Sequence, residues 1–168
     1  ITRRDREPMN DLQILHDELL TGHPATGPYS ADAAVAAGEI NALNRTRLAP
    51  VSSGELLAWS GAASSGDRPR LIKIEAGTTS ADEQVAAICK VAESTINRDG
   101  TELDLSKPDR AGMVSALVAA GVLSQADSDS LYALATQAIS RATEIGLSNV
   151  RAGTIEQARA LTQQQGAT

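Results

Sequence analysis

The chain has 168 residues, a net charge of −6 and a pI near 4.9. That length suits one domain, or one domain with a small appendage. The charge disfavours non-specific nucleic-acid binding, which needs clustered Lys and Arg to release counterions, and the single Cys89 excludes an intrachain disulfide and a Cys-rich zinc site.

Residues 1–8 are polar and charged and precede Met9; they are expected to be a disordered or non-native leader outside the fold. Met9, Leu12, Leu15 and Leu19 then recur at helical spacing and predict a helix over 9–21, with Gly22 as its stop. Residues 22–29 hold two prolines and two glycines and read as a rigid loop. Ser30 is expected to cap a helix running to about Arg45, followed by a connector over 46–52. Ser52 or Ser53 caps a short helix through Trp59. Residues 60–69 are the most linker-like stretch, a candidate mobile loop or subdomain boundary. Leu71, Ile72 and Ile74 fit either a short strand or the start of a helix.

Ser80 is expected to cap a helix over 81–98, with Val85, Ile88, Cys89, Ala92 and Ile96 on its apolar face and Asp99-Gly100 as its end. Ser106, with Pro108 just inside, starts the next helix, and Gly121 breaks it. Ser124 and Asp127 resemble a capping box for a helix running to about Ile145. Thr154 caps a last helix, and 163–168 should fray. The expected fold is all-α: a compact bundle of about six to seven short Ala-rich helices with a flexible Gly/Ser linker in the middle. It is read as a single domain over 9–162 with a possible mobile linker at 60–70.

The 29 alanines stand against three aromatics, Tyr29, Trp59 and Tyr132, and no Phe. Alanine is too small to wall a deep apolar pocket but lets helix backbones approach closely. The composition therefore favours a packed building block over an enzyme with a carved site. Among the candidates for chemistry, His16 beside Asp17 offers material for general base catalysis, but adjacent helix residues point about a hundred degrees apart. His16 is read as a solvated surface residue, His23 as a structural or surface one, and Cys89 as a small buried hydrophobe. Asp127 and Asp129 resemble the start of a calcium loop, but Tyr132 and Ala138 stand where that loop needs Gly and Glu. The acids Asp99, Glu102, Asp104 and Asp109 read as a solvated connector.

Helix, glycine and capped helix over 107–145 superficially resemble a helix-turn-helix, but acids at the start of the second helix would repel phosphates. Arg45 and Arg47 form the one compact basic cluster after residue 8. They read either as complements to a helix C-terminus or as contacts to an acidic partner face. Trp59 reads as a core residue or an interface anchor. No catalytic, metal-binding or cofactor-binding residue is assigned, and no cofactor is expected. No apolar run is long enough for a membrane-spanning helix, and no signal-peptide core appears near the start.

Residues 23–32 (His-Pro-Ala-Thr-Gly-Pro-Tyr-Ser-Ala-Asp) and 37–47 (Ala-Gly-Glu-Ile-Asn-Ala-Leu-Asn-Arg-Thr-Arg) resemble a family of small helical proteins encoded among the structural genes of tailed bacteriophages and prophages. Residues 139–147 (Ile-Ser-Arg-Ala-Thr-Glu-Ile-Gly-Leu) and 152–161 (Ala-Gly-Thr-Ile-Glu-Gln-Ala-Arg-Ala-Leu) fit the same pattern. The resemblance leaves out the middle, about 60–110, and implies context, not mechanism. It implies a virion protein made in the bacterial host cytoplasm, most simply a neck (head–tail connector) or tail-associated component. Its partners would be other virion proteins and copies of itself, with no sequence-specific nucleic acid and no membrane. His23, Pro24, Pro28, Tyr29, Arg45, Arg47 and Trp59 are the expected interface residues. The alternative is a soluble phage-encoded binding protein that acts on a host or assembly factor.

Overall fold

The computed structural model describes residues 8–24, 26–63, 68–97 and 102–165. They form nine helices: α1 (Pro8–Thr21), α2 (Ala33–Asn41), α3 (Ser53–Gly61), α4 (Arg70–Gly77), α5 (Glu83–Ile96), α6 (Pro108–Ala119), α7 (Gln125–Ala135), α8 (Arg141–Glu144) and α9 (Ala152–Gln165). Two short strands, β1 (Arg45–Leu48) and β2 (Thr136–Ile139), pair into one sheet. The fold is thus mostly helical with a small sheet, where an all-helical bundle of fewer helices was expected. Among the described residues no helix is long and apolar enough to cross a membrane.

The chain divides into two compact units: unit 1 is 1–46 with 138–168, and unit 2 is 47–137. The boundaries fall inside the two strands, not at the Gly/Ser-rich stretch 60–69. That stretch lies within unit 2, and its residues 64–67 are outside the described ones, as are 1–7 of the leader expected over 1–8, the stop at Asp99-Gly100 and the last three residues; Pro8, expected in the leader, is instead the first residue of α1.

In unit 1, α9 packs on α1 and on α2, and α2 packs on α8. Leu15, Ile40 and Ile155 fill the centre, with Ala36, Ala37, Ala142 and Ala158 between them, all buried. These alanines are part of the buried core, where a methyl side chain fills little volume between helices. Gly22 closes α1 with φ of 80°. A Cβ there would also meet the Gly27 carbonyl oxygen at 2.9 Å, so the loop over 22–29 requires glycine at this position.

In unit 2, α4 packs on α5, α3 on both, α5 on α6 and α6 on α7. Leu56, Ile74, Cys89, Leu103, Leu117 and Leu131 belong to its core. The ambiguous segment 71–74 is helical, and Ile74 is its buried residue. Cys89 is fully buried, and burial pushes its thiol pKa up. Gly77 sits so close to α5 that a Cβ would lie 2.4 Å from Cys89 Sγ. Gly77→Ala is therefore expected to destabilise unit 2 by about 1–3 kcal/mol through overpacking, despite alanine's better helix propensity. Urea unfolding of Gly77→Ala alone and combined with Cys89→Ala checks this: removing the sulfur should restore part of the loss, and an additive double variant would contradict it.

At α2 and α5 the helix starts follow a local rule that sequence reading placed two residues early. In Ser30-Ala31-Asp32 the cap of α2 is Asp32, whose carboxylate accepts from Ala34 N at 2.8 Å and Val35 N at 3.0 Å. The Ser30 hydroxyl accepts instead from Asp32 N at 3.2 Å. Ser80-Ala81-Asp82 repeats the arrangement at α5, with Asp82 accepting from Gln84 N at 2.9 Å and Ser80 from Asp82 N at 3.2 Å. The same tripeptide builds the same cap twice. Lys107, not Ser106, is the N-cap residue of α6; the Ser106 hydroxyl bonds Asp104 instead. The last helix begins at Ala152, ahead of Thr154.

The capping box expected of Ser124 and Asp127 forms at α7; at α3 the cap is Ser52, one of the two serines expected there, and Glu55 completes a second capping box with it. The helix expected to run from 125 to 145 is interrupted. It ends at Ala135, where Thr136 Oγ1 donates back to the Tyr132 carbonyl at 2.7 Å. The chain extends as β2 and restarts at Ser140, whose hydroxyl accepts from Thr143 N at 3.1 Å.

Candidate functional site

Unit 1 contains a continuous chain of hydrogen-bonded and ion-paired side chains drawn from four elements. The last turns of α1 supply Glu18, the loop over 22–29 supplies Tyr29, α8 supplies Arg141 and Glu144, and β1 supplies Arg45. Glu18 is 6% exposed yet charged, because Arg141 grips it with both faces of its fork: Nε to Oε1 at 2.8 Å and Nη2 to Oε2 at 2.7 Å. Tyr29 donates its hydroxyl to Glu18 Oε1 at 2.6 Å. Arg141 Nη1 reaches outward to Glu144 Oε2 at 2.9 Å, and Arg45 Nη2 completes the chain on Glu144 Oε1 at 3.0 Å. Two carboxylates face two guanidiniums, so the network is neutral as a whole. Bidentate pairing and full hydrogen bonding are the conditions under which a buried ion pair is tolerated.

The electrostatics follow from that geometry. Burial pushes the Glu18 carboxyl up, but the hydrogen bonds from Arg141 and Tyr29 and the positive charge of Arg141 outweigh it. The net shift is below the ordinary carboxylate value. Glu144 is also lowered, chiefly by its hydrogen bond from Arg141, with Arg45 adding to it against a burial effect that raises it. Burial and the bond to Glu18 raise the Tyr29 hydroxyl well above its ordinary value, and the bond to Glu18 raises Arg141 likewise. Each group is thereby held in its ordinary charge state at neutral pH. Such a network fixes the positions of backbone elements rather than moving protons.

Further polar ties join the same segments. Asn41 uses both ends of its amide on the Val150 backbone, donating to the carbonyl at 2.6 Å and accepting from the N–H at 3.0 Å. Arg159 donates to the carbonyls of Ser30 and Ala31, the second at 2.6 Å. His16 Nδ1 lies 2.9 Å from the Ala158 carbonyl. His16 is thus buried, at 4% exposure, and not the surface residue expected of it. Leu12 and Leu19 share its helix face, so the apolar packing of α1 on α9 carries it inward.

The expected interface residues divide by environment. His23 is buried: its Nδ1 accepts from Thr26 N at 3.2 Å, and its ring stands edge-on to Tyr29 with centroids 6.0 Å apart. Pro24 and Pro28 are exposed, while Tyr29 and Arg45 are half-buried in the network. Arg45 and Arg47 lie on β1 and not at a helix C-terminus, because α2 ends at Asn41. Arg47 is exposed and reaches Gln137 at 3.4 Å.

Trp59 belongs to unit 2, where it is buried at 7% exposure and thus unavailable as a surface anchor. Its Nε1 donates to Ser130 Oγ at 2.8 Å. The Arg70 guanidinium stacks 5.0 Å from its ring centroid and donates to the Trp59 carbonyl at 2.9 Å. The same Arg70 pairs with the buried Asp127 through Nε at 2.8 Å. Asp127 is therefore a cap and an ion-pair partner at once. Beside this cluster the core of unit 2 encloses a void of about 20 Å³ lined by residues such as Leu56, Trp59, Ile74 and Met113, room for about one water-sized sphere.

Sequence reasoning missed Glu18, Arg141, Glu144, Asn41, Arg159 and Arg70. Only Glu18 carried a signal, since it falls on the same helix face as Leu15. Among the described residues, no group of three or more His, Cys, Asp or Glu is placed to hold a metal ion. No protein-family model, no curated protein and no solved structure matches the chain.

Proposed function

We propose that this protein is a non-enzymatic structural component of a tailed-phage particle, a neck or tail-connecting protein that acts by subunit assembly. Its partners are copies of itself and other virion proteins; it recognises neither a nucleic-acid sequence nor a membrane. It is made in the host cytoplasm and resides in the virion. One observation carries this reading. The four segments that resemble phage structural proteins, 23–32, 37–47, 139–147 and 152–161, come from opposite ends of the chain. All of them except Arg47 belong to one compact unit. The polar ties described above join them to one another: Asn41 to Val150, Arg159 to Ser30 and Ala31, and Tyr29 and Arg45 to Arg141 through the carboxylates. The resemblance therefore coincides with a folded unit, and the unmatched middle of the chain belongs to the other one.

On this reading the exposed Pro24 and Pro28 of the loop, the exposed Arg47 and the partly exposed Arg45 are the residues that meet neighbouring subunits. A closed ring requires two different patches of each subunit to meet. The double variant Arg45→Ala, Arg47→Ala should keep its helicity. Its stability should fall by no more than about 1 kcal/mol, the usual contribution of a partly exposed ion pair. Light scattering across a concentration series should show the wild-type chain rising toward a fixed oligomer mass and the double variant lagging behind it. Equal masses for the two proteins would remove the arginines from the interface. A wild-type chain that is monomeric at every concentration would favour a soluble binding protein acting on a host or assembly factor.

A further inference from the structure

We draw no further inference here: the strongest candidate, the shallow apolar groove of about 210 Å³ on unit 2 lined by Ala87, Ile88 and Val91 of α5 and Met113 of α6, is an unpartnered apolar face, and nothing in the structure shows what covers it.

Discussion

Replacing Asp127 with alanine is expected to destabilise unit 2 by about 4 kcal/mol, within the range for removing one partner of a buried ion pair. Two losses combine. Asp127 Oδ2 accepts from both the backbone N–H and the hydroxyl of Ser124, at 2.9 and 2.7 Å. Removing those bonds undoes the start of α7, an effect of roughly 1 kcal/mol for a lost cap. Oδ1 holds Arg70 Nε at 2.8 Å, and the Arg70 side chain is only 12% exposed. Without the carboxylate, that guanidinium is left uncompensated in a poorly hydrated position. Asp127→Asn separates the two contributions, because an amide oxygen can still accept at the cap while the charge is gone. Its loss should be intermediate. Chemical denaturation followed by Trp59 fluorescence reads the effect directly, since Arg70 stacks on that ring. A loss under about 1 kcal/mol for the alanine variant would show that the pair contributes nothing beyond an exposed one.

Glu18→Ala is expected to cost about 3 kcal/mol, at the lower end of the same range, because Arg141 keeps Glu144 as a second partner. Tyr29 loses its acceptor in the same change. The pH dependence gives a sharper signature. Glu18 and Glu144 both have folded-state pKa values below the ordinary 4.5, against an unfolded value of about 4.3. Lowered pKa values mean that the unfolded chain binds protons more readily. The stabilisation is therefore fully present above the unfolded value and is lost as pH falls through the folded values. Wild-type stability should drop steeply below about pH 4, whereas Glu18→Gln should follow a shallower course. The gap between the two proteins should be widest near neutrality and shrink in acid. Denaturant unfolding at a series of pH values checks this, and parallel curves would contradict a charged Glu18.

The sequence made some of these features legible and hid others for identifiable reasons. Capping boxes are local: Ser52 with Glu55 and Ser124 with Asp127 are three residues apart, and the spacing alone fixes the hydrogen bonds. The burial of Cys89 followed from the apolar periodicity of α5. The interruption at 136–139 did not, because Thr136-Gln-Ala-Ile has no strong helix breaker. What extends it is pairing with 45–48, flanked by the bond from Ala49 N to the Ala135 carbonyl at 2.8 Å. Ser140, three residues before Thr143, was the one local sign of a new helix start.

The ion pairs were hidden more completely. Arg70 and Asp127 are 57 residues apart, Arg45 and Glu144 are 99 apart, and Arg141 and Glu18 are 123 apart. A charged side chain carries no address in the sequence, so its partner emerges only when tertiary packing closes the loop between them. His16 and Trp59 show the reverse case. Both were judged by chemical type, and both are held inside by the apolar residues of their own helix faces. Trp59 is also held by Arg70 and Ser130 through its ring, carbonyl and indole nitrogen.

The proposal that this chain is a structural part of a tailed-phage particle is tested most directly by quantitative mass spectrometry of phage particles purified from cells that carry its gene. The chain is expected in the particles at a fixed ratio to the major capsid protein that matches a symmetric ring. Its presence in the cell lysate, with none in the particles, would contradict a structural role in the virion.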